Sequence, residues 1–130
     1  MTERHGSAKH VLIVEDDDQV REVLEDVLSE EGYQAIATQD GLEALEWLSS
    51  LPVDLIIVDI LMPHLDGPGL IKRVRQTSRW AAIPILVVSA FANLDRYQNL
   101  PVDGFLLKPF DVSALLENVQ KLTGSHGARA

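Results

Sequence analysis

A chain of 130 residues is the length of one domain, long enough to bury about two thirds of its unfolded surface around a single core. Its formal charge of −9 makes it a poor non-specific ligand for nucleic acid or an anionic membrane, and the lack of cysteine excludes disulfides, zinc thiolate sites and thiol nucleophiles. At 46% apolar it is too hydrophobic for disorder; no apolar run approaches the roughly 20 residues of a membrane span, and Met1 to Lys9 lack a signal-peptide core, so a soluble cytoplasmic protein is expected.

Short apolar runs alternate with helical periodicity along the chain. Val11–Val14 is a continuous run that stops at Glu15-Asp16-Asp17-Asp18. Val20, Val23, Leu24, Val27 and Leu28 then recur on one face of a helix, which Gly32 closes. Gln34–Thr38 alternates polar and apolar residues, as an exposed edge strand does. Asp40, with Glu43 three positions later, starts a helix in the manner of a capping box, and Leu42, Leu45 and Leu48 continue it to Pro52.

Leu55–Val58 is the next buried strand and runs directly into Asp59, after which the chain turns through Met62–Pro63 and Asp66–Gly67. Leu70, Ile71 and Val74 mark a helix after Pro68. Pro84 opens the strand Ile85–Val88, which ends at Ser89. A weak helical patch spans about Asn93 to Leu100 and is ended by Pro101. Phe105–Leu107 is a short last strand ending at Lys108–Pro109. Asp111 caps a final helix with Val112, Leu115, Leu116 and Val119 inward; Gly124 stops it. Residues 1–8 and 124–130 read as flexible ends around one domain spanning 9–123. Trp47 and Trp80 are expected as packing residues, and His64 as a solvated loop histidine.

Five strands alternating with five helices imply a parallel sheet covered on both faces, a doubly wound α/β fold. Reactive groups in such sheets gather beyond the carboxyl ends of the strands. Those ends carry Glu15, Asp16, Asp17, Asp59, Ser89 and Lys108. Carboxylates crowded together need compensation, since two unit charges about 4 Å apart cost roughly 4 kcal/mol at an effective dielectric of 20. A hard divalent cation such as Mg²⁺ supplies it, Lys108 adds a fixed positive charge, and Ser89 offers a hydroxyl to an oxyanion. The set suits phosphoryl transfer, with an aspartate as nucleophile. No P-loop is present, so the donor is not held as a nucleotide. Plainer readings stand beside these: Asp59 as a cap on the turn before Pro63, Glu15 to Asp18 as an acidic helix start, Ser89 as a turn hydroxyl and Lys108 as a surface lysine.

From about Lys9 to Leu122 the chain resembles the receiver domain of bacterial two-component response regulators. The motifs are Val14-Glu15-Asp16-Asp17, Asp59 to Pro63 with Asp66–Gly67, Val88-Ser89-Ala90, and Phe105 with Leu107-Lys108-Pro109-Phe110, in this order. The resemblance implies a flavodoxin-like sheet of order 2-1-3-4-5 with five helices. It makes Asp59 the phospho-acceptor, Asp16 a direct Mg²⁺ ligand, and Glu15 an acidic neighbour acting through metal-bound water. Asp59 and the backbone carbonyl of Leu61 would join the Mg²⁺ site, Ser89 and Lys108 would contact the phosphoryl group, and Phe105 would be the aromatic switch. Asp17 and Asp18 are read as the helix start, and the Lys108–Pro109 bond as cis.

The resemblance further implies a sensor histidine kinase or histidine phosphotransfer protein as donor and an unknown downstream protein as reader. It implies no nucleic acid or membrane binding, and it leaves a homodimer open. Such a domain promotes its own phosphorylation without being a conventional turnover enzyme. With no DNA-binding domain after Leu122, the chain reads as a single-domain regulator or an excised receiver. The spacing from Ser89 to Lys108 is short for the family, so the fourth helix is expected to be short or irregular. Apolar Leu61 and Phe91 predict slow loss of phosphate. Two alternatives are a receiver-like module that signals without phosphate and an aspartyl-phosphate hydrolase, which would need a cap domain.

Overall fold

The computed structural model describes residues 8–60, 67–90 and 99–124. In chain order these form β1 (His10–Val14), α1 (Asp18–Glu30), β2 (Gln34–Thr38), α2 (Gly41–Ser50), β3 (Leu55–Asp59), α3 (Gly67–Gln76), β4 (Ile85–Ala90), β5 (Gly104–Lys108) and α4 (Val112–Thr123). The five strands make one sheet in the order β2-β1-β3-β4-β5, parallel throughout. Four helices stand among the described residues where five were expected. Most of the weak patch at 93–100 lies outside those residues, and Asn99 and Leu100 are in a turn.

The central strands are buried on both faces, which is why they read as unbroken apolar runs. Their side chains alternate between two cores. Leu12, Val14, Ile56, Val58, Ile85 and Val87 point to one core, completed by Ala44 and Leu48 of α2 and Leu70, Ile71 and Val74 of α3. Val11, Ile13, Leu55, Ile57, Leu86 and Val88 point to the other, completed by Leu24 and Leu28 of α1 and Leu115 and Val119 of α4. Each such leucine or valine contributes roughly 1.5–3 kcal/mol by leaving water. Trp80 is buried in the first core as expected, whereas Trp47 on α2 is 38% exposed.

The helix ends follow their capping chemistry. Asp17, Asp40 and Asp111 each accept a backbone N–H from three residues on: Val20 at 3.0 Å, Glu43 at 2.9 Å and Ala114 at 2.7 Å. Glu43 reaches back as a capping-box residue does, but to the N–H of Gln39, one residue before the cap. Gly32 and Gly124, with φ of 94° and 73°, take the left-handed conformation that ends α1 and α4.

At the end of the sheet where β4 and β5 begin, Arg75 of α3 ties three segments together. Its Nε donates to the Pro101 carbonyl at 2.8 Å, Nη1 to those of Ala81 and Ile83 at 2.9 and 2.7 Å, and Nη2 to Asp103 at 2.9 Å. The same Asp103 oxygen accepts the N–H of Ile85 at 2.8 Å. This clamp fixes the approach to the last strand.

Candidate functional site

The sheet register brings the strand ends together. Val14 pairs with Val58, so Glu15 follows beside Asp59, and Asp59 pairs with Val88. Ala90 pairs with Lys108 on the far strand. The strands run one or two residues further than their apolar stretches, because the hydrogen-bonded ladder continues past the core; Asp59, Ser89 and Lys108 are therefore strand residues, not loop residues. By alternation, Glu15, Asp59 and Lys108 lie on the α1/α4 face, and Ser89 and Phe105 on the opposite one.

Glu15 is fully buried and Asp59 nearly so at 8% exposure, while Asp16 is exposed. The Lys108 ammonium sits 3.0 Å from Glu15 Oε1 and 3.2 Å from Asp59 Oδ2. Toward Glu15 it is an ion pair without an aligned hydrogen bond; toward Asp59 it is a hydrogen bond. Glu15 Oε2 accepts the N–H of Asp17 at 3.1 Å, and its backbone carbonyl accepts from Arg21 at 2.9 Å. Glu15 thus belongs to the α1 cap as well as to the crevice. Asp17 caps α1 and Asp18 is its first residue, as the sequence indicated.

Burial, helped by the Asp59 charge, pushes the Glu15 carboxyl up to about 7 against the downward pull of the Lys108 ammonium and the Asp17 N–H. Burial also works against the Lys108 charge, but Glu15 and Asp59 outweigh it and hold the ammonium above the ordinary lysine range. Of the pair, Glu15 is therefore the group that takes a proton near neutrality. The sequence puts Glu15 at a strand end but does not show its burial, because an acidic run gives no sign of which member turns inward.

Glu15, Asp16 and Asp59 each present a carboxylate oxygen, all within 4.8 Å of one another. An all-oxygen set of this kind fits a hard cation such as Mg²⁺. The Ser89 hydroxyl is 1% exposed and has no hydrogen-bond partner among the described residues. A buried hydroxyl so placed costs about 1–3 kcal/mol unless a ligand satisfies it. Leu61, His64, Asp66 and Phe91, all singled out in the sequence, lie outside the described residues.

Gly67 closes the far side of β3. Its N–H donates to the Ile60 carbonyl at 2.9 Å. A Cβ there would meet Ile60 Cα at 2.6 Å and the carbonyl oxygens of Asp59 and Ile60 at 2.7 Å. Only glycine lets α3 start this close to Asp59. The Lys108–Pro109 peptide is cis, as expected. Beyond Lys108, a groove of about 400 Å³ runs between α1 and the start of α4, lined by Gln19, Val20, Val23, Pro109 and Phe110.

The fold is a doubly wound, all-parallel α/β domain with an acidic crevice at its strand ends, and sequence comparison gives its family. Residues 11–120 match the model of the response regulator receiver domain, and the chain belongs to that family. It is 40% identical over 115 residues to the sensor histidine kinase TmoS of Ectopseudomonas mendocina, covering 86% of this chain and 12% of that protein. It is 34% identical over 121 residues to the transcriptional regulatory protein CseB of Streptomyces coelicolor, covering 91% of this chain and 50% of that one. The chain thus spans half or less of these relatives. Among solved structures it is similar to the response regulator protein TrrA of Thermotoga maritima in complex with Mg²⁺–BeF, with 31% identity and a TM-score of 0.79, covering 88% of this chain and 98% of that one. Among the described residues no helix is long and apolar enough to cross a membrane.

Proposed function

We propose that this receiver domain accepts a phosphoryl group on Asp59 from a phosphohistidine of a sensor histidine kinase or histidine phosphotransfer protein, and signals through protein contacts. The observation that carries the reading is the crevice itself: three carboxylates within 4.8 Å, with Lys108 at 3.0 and 3.2 Å from two of them. A lone capping aspartate needs no such company.

An Asp59 oxygen attacks the phosphorus, the phosphorus–nitrogen bond to the donor imidazole breaks, and the imidazole leaves with the bonding electrons. Lys108 lies between Glu15 and Asp59 before transfer and moves onto a phosphoryl oxygen after it. Ser89 turns its unpartnered hydroxyl to another. Asp16 and Asp59, with the Leu61 carbonyl, would hold Mg²⁺ directly and Glu15 through metal-bound water, and the ion would supply charge neutralisation on the transferring oxygens. Phe105 shares the Ser89 face and packs half-buried on the same core as Leu100 and Val102, so a shift of Ser89 is read there by packing alone. The domain is a signalling module rather than a turnover enzyme, placed with its donor in the cytoplasm.

Incubation with Mg²⁺ and phosphoramidate, followed by intact-protein mass spectrometry, tests the assignment. The wild type gains one phosphoryl group; Asp59→Asn gains none, and chelation of Mg²⁺ prevents labelling. Labelling of Asp59→Asn to the wild-type level refutes the acceptor.

A further inference from the structure

Charge is divided between α1 and the stretch from α3 to β4, while α2, which covers the same face of the sheet as α3, carries Glu43 and Glu46 and no cation. Residues 16–31, which enter and form α1, hold eight carboxylates against one arginine. Glu22, Glu25, Asp26 and Glu30 are exposed, and so is Val23 at 49%. Asp26 and Glu30 follow Val23 by three and seven positions, so these three share one stripe of the helix. Residues 67–90 are the reverse, with Lys72, Arg73, Arg75 and Arg79 and no carboxylate. Arg75 is spent in the clamp. Lys72, Arg73 and Arg79 are exposed, and among the described residues none of them has a carboxylate partner.

Beside Arg79 lies a groove of about 280 Å³ between the end of α2 and the turn before β4, walled by Leu48, Leu51, Val53, Trp80 and Ile83. The Arg79 guanidinium sits 4.9 Å from the Trp80 ring centroid, which holds a cation at the rim. An apolar groove with a cationic rim fits an apolar side chain flanked by carboxylates, and Val23 on α1 is such a side chain.

We propose that this groove and the basic face of α3 dock the acidic α1 face of a second copy of the chain, with Val23 in the groove and Asp26 and Glu30 against Arg73 and Arg79. Because α1 and α3 cover opposite faces of the sheet, a two-fold axis cannot satisfy both contacts within one pair. The association is head to tail and open-ended. Each copy also carries a net negative charge that repels the next. At about 0.1 M salt, charges more than roughly 10 Å apart are screened while contacting charges still attract; at about 1 M the screening length is near 3 Å and the contacts weaken too.

Sedimentation velocity tests this. In about 0.1 M NaCl the weight-average mass should rise with protein concentration towards about 1 mM without levelling at a dimer, and should return to monomer in about 1 M NaCl. Arg73→Glu with Arg79→Glu in one variant, and Asp26→Lys with Glu30→Lys in another, should each be monomeric yet associate when mixed, which also shows that both are folded. A monomer throughout, a closed dimer, or association untouched by either variant overturns the proposal. So does a monomer that instead binds a poly-glutamate peptide or an oligonucleotide at Arg73 and Arg79.

Discussion

At the scale of single residues, Glu15 and Ser89 carry costs that a ligand would relieve. The Glu15 carboxyl is raised to about 7 from an ordinary 4.5, so the folded protein holds that proton more tightly than the unfolded chain does. Its contribution to stability is therefore full below about 4.5 and is lost as pH rises towards about 7. Urea unfolding of the metal-free protein should show this decline, and Glu15→Gln should flatten it. Mg²⁺ competes with the same proton, so Mg²⁺ affinity should rise across that window. Ser89→Ala removes a buried hydroxyl with no partner among the described residues. It should leave the metal-free fold as stable or up to about 2 kcal/mol more so, while weakening beryllofluoride binding. A marked loss of stability would mean that the hydroxyl already has a structural partner.

At the scale of elements, α3 is set by a contact at each end. Gly67→Ala should cost about 1–3 kcal/mol, because the methyl group meets backbone atoms at 2.6–2.7 Å and overpacking outweighs the gain of about 1 kcal/mol in helix propensity. Chemical denaturation would measure it, and a stabilised variant would contradict the tight fit. Arg75→Met should cost on the order of 2–3 kcal/mol by leaving carbonyls and Asp103 without their donor, and Arg75→Lys should recover only part, since one ammonium cannot span four acceptors. Most elements were legible because β1, β3 and β4 are buried on both faces and so appear as apolar runs. The aspartate caps were legible for their local chemistry. The Arg75–Asp103 clamp was not, since an arginine on a helix and an aspartate 28 positions later carry no joint sequence signal. Trp47 reads as a packing residue, and only the helix phase shows how much of it, 38%, stays exposed. Of the candidate site, residue types and order were readable; which carboxylates are buried and meet Lys108 depended on the register of the strands that carry them.

For the whole molecule, ligand binding at the crevice and folding are linked. Any ligand confined to the native state stabilises it by about 2.7 kcal/mol at a concentration 100 times its Kd. Beryllofluoride with Mg²⁺ should therefore raise the thermal midpoint of the wild type, and neither component alone should match it. Asp59→Asn should show no such rise; an equal rise would place the binding elsewhere. Glu15, Asp59, Ser89 and Lys108 stand at or just past the ends of four strands that lie far apart in the chain. As the chain leaves the ribosome, residues 15, 16 and 59 emerge well before residue 108. Until β5 docks beside β4, the carboxylates face one another without their lysine. A chain without β5 thus holds the Glu15 and Asp59 carboxylates but not the ammonium that offsets their repulsion, so the crevice is electrostatically balanced only once the last strand has docked.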